Sequence, residues 1–196
     1  GPIADYGVAV PLLIYGVSLS LVEKIPVSPN PLFGNLSLLK MGIAWIGNSW
    51  PPWEAGVLME PQPLLYLLVK KLVFGVGANQ DVFVHPVAFA AVIGLYVTAL
   101  NLIPIGQLDG GHIAYALFGE KAWKIGKAAA WFILALAFVS SVGWLLWFFV
   151  VRRLVGYGHP PVGAEEAPLS PARRVVVALS VLIFFLTLTP VAADWL

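Results

Sequence analysis

The sequence predicts an all-α membrane protein, a polytopic bundle of about four transmembrane helices with one further interfacial or re-entrant helix. Three observations predict it. Of 196 residues, 60% are hydrophobic and 11% charged, with a mean hydropathy of +0.89. Soluble domains carry roughly 45–50% apolar and about 25% charged residues, so too few charges remain here to coat a core in water. Four apolar stretches also approach the roughly 20 residues that a spanning helix needs. The net charge of +1 leaves no basic surface for nucleic acid. The absence of cysteine excludes a disulfide framework and thiolate metal sites.

The first stretch, "YGVAVPLLIYGVSLSLV" (6–22), ends at Glu23 and Lys24. The region 24–84 then changes character and reads as an interfacial and loop insertion. Its Pro-, Gly- and Asn-rich segments are turn-forming, and Trp45, Trp50 and Trp53 have the clustering of rings at the headgroup level. Within it, "PLLYLLVKKLVF" (63–74) is too short to span and carries Lys70 and Lys71 at its middle, the pattern of an interfacial or re-entrant helix. The second span, 87–103, is opened by Pro86, a residue suited to a first helical turn. The third, "AAAWFILALAFVSSVGWLLWFFVV" (128–151), is the longest and cleanest. Within it Ser140, Ser141 and Gly143 form either a close-packing face or hydroxyls bonded to their own helix. The fourth, 175–193, carries Pro190 near its end. Lys121, Lys124 and Lys127 precede the third span, and Arg152, Arg153, Arg173 and Arg174 follow it, a near-even split, three against four, that leaves orientation open. No internal repeat is visible.

The second span runs into "NLIPIGQLDGG" (101–111), which places a carboxylate, Asp109, at membrane depth. An ionised acid there is costly and faces the bundle interior or water. Pro104 breaks the helix that Asn101 closes, and Gly106, Gly110 and Gly111 permit backbone shapes that other residues resist. Irregular backbone in a bilayer persists only where protein buries it or it lines a wet cavity. Two readings stand: an irregular, protein-buried element that fixes a functional acid, or an interfacial turn in which Asp109 bonds its own backbone and the glycines take positive φ.

This segment resembles the second signature of the site-2 protease family of intramembrane zinc metalloproteases, Asn-x-x-Pro-x-x-x-x-Asp-Gly, at Asn101, Pro104, Asp109 and Gly110. The resemblance extends from His85 to Gly119 and is to the bacterial and plastid branch. "GPIADYGVAVPLL" is similar to the Ala-Gly-Pro opening of the family helix that follows its zinc-binding helix. The resemblance implies an endopeptidase that cleaves membrane-spanning proteins within a bacterial plasma membrane or a plastid membrane, with the lipid bilayer as its surroundings. It implies one zinc ion, with Asp109 as the third ligand, and Asn101, Pro104 and Gly110 shaping the adjacent backbone and the substrate's path. In the family a His-Glu-x-x-His helix supplies two ligands and the general base. Two histidines at i and i+4 share one helix face, so a carboxylate from another segment completes a three-ligand zinc with an open water position.

No His-Glu-x-x-His occurs here. The histidines are His85, His112 and His159, and none has a glutamate beside it. The general base is thus missing and the chain as given is inactive. The sequence opens on Gly1, and the resemblance implies that the zinc-binding helix lies upstream of it. His112, three residues after Asp109, is either a further ligand or a hydrogen-bonded anchor. His85 reads as a cap or polar tether, and His159 as solvated. Asp5 stands where the family carries a small or amide residue, which questions close packing at that point unless it lies at the membrane edge. The alternative function is a non-catalytic membrane protein, a pseudoprotease that binds transmembrane helices. A transporter with Asp109 as its ion site is a third reading, supported by no second buried charge.

Overall fold

A computed structural model describes residues 1–24, 38–39, 45–47, 63–75, 80–140, 142–158 and 169–188. The expectations for Trp50, Trp53, Ser141, His159 and Pro190 fall outside these residues.

The described chain is mostly helical. It runs through α1 (Pro2–Ser18), β1 (Leu21–Lys24), α2 (Leu64–Phe74), β2 (Gln80–Phe83), α3 (Pro86–Asn101), α4 (Asp109–Phe118), a 3-10 turn (Gly119–Lys121), α5 (Ala122–Val139), α6 (Gly143–Val150), a π turn (Val151–Val155) and α7 (Pro171–Thr187). Strands β1 and β2 pair antiparallel, with Leu21 opposite Phe83 and Lys24 opposite Gln80. The helical class expected from the sequence holds, with one short ribbon besides: the first apolar stretch leaves its helix at Ser18, and its last residues join a ribbon that closes the ends of the insertion.

Helices α1 and α3 run antiparallel. Gly16 of α1 lies so close to the Ala88 backbone that a side chain would not fit between them, and Gly1 lies beside Asp109, just past the other end of α3. Proline at the first position starts both helices. At their far end, Ser20 Oγ accepts from His85 N at 2.9 Å, and His85 Nδ1 accepts from Val87 N at 3.3 Å, so His85 caps α3. One core lies between α1, α2 and α3, around Leu13, Val17, Tyr66, Val92 and Leu95. Lys70 of α2 is buried there, its Nζ 4.6 Å from the Tyr66 ring centroid.

The third predicted span is not one helix. Helix α5 ends at Ser140, whose φ of −113° and ψ of −80° leave the helical region. The Trp131 and Phe148 rings are then 6.3 Å apart, whereas seventeen residues of continuous helix would separate them by about 25 Å. Helices α5 and α6 form an antiparallel hairpin, packed through Ile133, Ala137, Trp144 and Phe148. The reason lies in Ser140, Val142 and Gly143 at the turn: a serine that competes with its own backbone, a β-branched residue and a glycine, all poorer helix formers than the Ala and Leu before them. Ser140 is buried at the turn, so Ser140 and Gly143 flank a reversal rather than lining the face of a straight helix.

Among the described residues one helical run, Asp109–Val139, has the length and apolar composition to cross a membrane; α1 and α3 are apolar but shorter. That run is itself bent. Gly111 and Gly126 would stand about 22 Å apart in a straight helix, yet both pack on the same loop, residues 104–106. Helices α4 and α5 therefore form an elbow about Gly119–Lys121, and α5 alone contributes 18 residues, about 27 Å. Large apolar side chains face outward all around the bundle, among them Leu12, Ile93, Phe132, Leu146 and Phe185, as a lipid-solvated surface requires.

Candidate functional site

Helix α3 ends at Asn101, and the chain makes a tight irregular passage through Leu102–Leu108 before α4 starts at Asp109. Leu102, Ile103 and Ile105 are buried in this passage. Ile103 and Ile105 join the α5–α6 core, which keeps the unwound backbone away from the outside of the bundle. Gly106 turns the chain with a φ of 51°, a conformation that disfavours a side chain.

Gly110 and Gly111 do different work from that expected of a turn. Both are helical residues of α4, and neither has a positive φ. A Cβ at Gly110 would strike the Leu102 carbonyl oxygen, and one at Gly111 would strike that of Gly106. The first turn of α4 thus lies backbone against backbone on the passage. On its other side the passage rests on α5, where a Cβ built on Gly126 would stand 3.4 Å from the Pro104 oxygen.

Asp109 is held in this setting. Asn101 Nδ2 donates to Asp109 Oδ2 at 2.7 Å, and Asp109 N donates to Asn101 Oδ1 at 3.4 Å. The two motif residues, eight apart in sequence, therefore clamp each other across the passage. The carboxylate is half-buried and sits at the first position of α4, where the helix dipole favours negative charge. Beside it lies Gly1: a Cβ built there would be 3.0 Å from Oδ2. From Asn101 an open groove of about 590 Å³ runs between α1 and α3, floored by Ala9, Ala91, Gly94 and Thr98, with Asp5 on its wall. Pro104 and Gly110 line a second, smaller groove against α7. Asp5 is exposed, in the first turn of α1.

His112 is exposed one turn along α4, and its backbone N–H donates to the Leu108 oxygen. His85 stands at the other end of α3. Among the described residues no group of three His, Cys, Asp or Glu side chains is placed to hold a metal. Catalytic zinc takes three protein ligands and keeps a water position. Asp109 fits the part of one such ligand, since its orientation is fixed by an amide as ligating carboxylates are, but these residues supply a share of a zinc site and not the whole. The glycine-to-carbonyl docking is a feature that residue types alone did not announce; the signal available was a Gly-Gly pair starting a helix, where a cap and a charge are commoner.

Comparison with known proteins shows the family. The model of peptidase family M50 matches residues 1–142, which include both members of the clamp. The probable zinc metallopeptidase EGY3, chloroplastic, of Arabidopsis thaliana is 38% identical over 117 residues, 59% of this chain and 20% of that protein. Its counterpart in Oryza sativa is 37% identical over 118 residues, with the same shares. The probable zinc metalloprotease EGY1, chloroplastic, of Arabidopsis thaliana is 24% identical over 180 residues, 86% of this chain and 32% of that protein. The chain thus spans between a fifth and a third of the length of these relatives. No solved structure matches it.

Proposed function

The chain belongs to peptidase family M50, the site-2 protease family, and from that premise we propose that it is the part of a zinc-dependent intramembrane endopeptidase that supplies the third metal ligand and a wall of the substrate path. The observation that carries this reading is the Asn101–Asp109 clamp, built on buried irregular backbone at the mouth of the α1–α3 groove. Asp109 is the ligand and Asn101 fixes its rotamer. The two other ligands and the general base lie outside these 196 residues, which hold no His-Glu-x-x-His. Gly1, at the start of α1, stands directly beside the carboxylate.

When bound, the zinc polarises a peptide carbonyl and activates water. The chain's own contribution is to hold one anionic ligand still and to keep lipid from it. The protein is multi-pass in this reading, with α1, α3, α7 and the α5–α6 hairpin embedded in a plastid or bacterial membrane and α2 at the interface. Its substrate is a helix of another membrane protein. The absence of three grouped ligating side chains among the described residues also favours a second reading, a helix-binding pseudoprotease.

Metal content separates the two. The gene-length protein purified in detergent is expected to carry about one zinc per chain. Asp109→Asn keeps the size and a hydrogen-bonding group for Asn101 but removes the charge. It should lose zinc at least tenfold more readily to a chelator, with thermal stability changed little. Gene-length protein without zinc would sink the protease reading and leave the pseudoprotease standing.

A further inference from the structure

The two reversals of the chain decide where its cations go. The elbow starts α5, and the hairpin returns α6 to the same end, where a Cβ on Gly126 would stand 2.8 Å from the Tyr157 oxygen. Lys121, Lys124 and Lys127 near the start of α5 and Arg152 and Arg153 in the π turn therefore gather at one end of the bundle, although they read as two groups flanking a single span. All five are exposed, and among the described residues none makes an ion pair; Arg152 donates to the Tyr157 hydroxyl at 3.2 Å. Glu120 is the exposed acid in their midst, while Glu165 and Glu166 fall outside the described residues.

A second feature lies beside them. An apolar groove of about 250 Å³ opens between the elbow and α7, lined by Leu117, Phe118, Ile125, Phe184 and Phe185 among others. Phe118, which lines the groove, and Lys121 stand at the two sides of the same elbow, so the cations begin where the groove opens. Trp123 is exposed at the same elbow, an amphipathic ring beside lysines, as at a headgroup layer.

We propose that this end of the bundle binds an anionic phospholipid, its phosphate among Lys121, Lys124, Lys127, Arg152 and Arg153 and one acyl chain in the groove. A zwitterionic lipid fills the groove equally well but neutralises none of the five charges, so the selectivity resides in the headgroup. The same collar then faces the leaflet of greater negative surface potential and fixes the orientation that the sequence leaves open. Because the Asp109 passage rests on Gly126, between Lys124 and Lys127, lipid bound here braces the floor of the candidate site.

The test is native mass spectrometry of the full chain released from nanodiscs of equimolar phosphatidylglycerol and phosphatidylcholine. The unaltered chain should retain phosphatidylglycerol over phosphatidylcholine by roughly fivefold or more, and less as salt rises. Replacing Lys121, Lys124 and Lys127 with Gln should bring the ratio close to one, whereas Lys71→Gln, on α2, should leave it unchanged. Ile125→Trp should lower retention of both lipids without altering their ratio. Equal retention of the two lipids by the unaltered chain, or a preference that survives the triple replacement, overturns the proposal. Displacement of the lipid by millimolar inorganic phosphate overturns the headgroup assignment and identifies a free-anion site. Should the triple variant fail to fold, the salt series on the unaltered chain still decides, since a preference insensitive to salt is incompatible with the collar.

Discussion

Residues 101–111 and residues 128–151 are both places where an apolar chain stops being a simple membrane helix, and they do so by different means. The first stops through chemistry that can be named residue by residue. Asn101 and Asp109 clamp each other, Pro104 and Gly106 shape the passage, and Gly110 and Gly111 let two backbones touch. The second stops within 24 residues of nearly uniform hydrophobicity, through a buried serine and the poor helix formers around it. Where a break is made by polar and conformationally special residues, it announces itself. Where it is made by a few poorer helix formers inside an apolar run, hydropathy does not register it.

The largest effect expected concerns the shape of the second region. The chain has no cysteine, so Lys127→Cys with Leu154→Cys gives two unique, exposed positions for spin labels. A continuous helix would hold them about 40 Å apart. The hairpin holds them on neighbouring helices, about 10–15 Å apart before the label arms are added. A distance near 40 Å by pulsed electron resonance in nanodiscs would restore the single span and dissolve the comparison.

The next effect is energetic and belongs to the first region. Gly110→Ala drives a methyl group into the Leu102 carbonyl, and backbone on both sides cannot yield as a side chain would. A loss of about 3 kcal/mol or more is expected, at the upper end of overpacking costs. Gly94→Ala is the matched control: it lies in α3 with nothing within 4 Å of its Cβ, so it should be neutral or stabilise by up to about 1 kcal/mol through helix propensity. Thermal unfolding in one detergent compares the two. Equal shifts would mean that the α4 docking contributes nothing specific.

These two tests also show what the sequence could express. The start of α3 at Pro86 and its end at Asn101 were legible, because proline geometry and a polar helix terminus act locally. The clamp partners were legible as types and spacing. The glycine–carbonyl docking was not, since it depends on which backbone lies opposite, a fact no local pattern encodes. The hairpin, the elbow and the β1–β2 ribbon were hidden for a related reason: hydropathy measures how well residues tolerate lipid, and a residue facing lipid scores like one facing another helix. Counting apolar residues therefore finds membrane-compatible chain without finding its reversals. The near-even split of cations was a direct casualty, since only the hairpin places Lys127 and Arg152 at one end.

A smaller effect tests the clamp itself. Asn101→Ala leaves the Asp109 carboxylate half-buried without its 2.7 Å donor, and hydrogen bonds to charged groups contribute about 1.5–3 kcal/mol. Partial water access restores some of that, so a loss of about 1–2 kcal/mol is expected. Asn101→Asp should be worse than Ala, because it sets two carboxylates against each other across the passage. Ala proving worse than Asp would show that Asn101 acts by filling space and not by donating.

The smallest effect concerns the opposite end of α3, where the break in helix is again of the legible kind. His85 Nδ1 caps Val87 N at 3.3 Å, while the His85 backbone N–H donates to Ser20 Oγ at 2.9 Å. His85→Ala removes the first bond and keeps the second, at a cost of about 0.5–1 kcal/mol by the behaviour of N-caps. Ser20→Ala removes the second, and its buried position makes the orphaned donor cost about 1–3 kcal/mol. Ser20→Ala should thus exceed His85→Ala in thermal unfolding, although histidine is the larger and more conspicuous residue. The reverse order would mean that the imidazole carries contacts beyond its cap, and that even a break legible in the sequence draws its stability from packing.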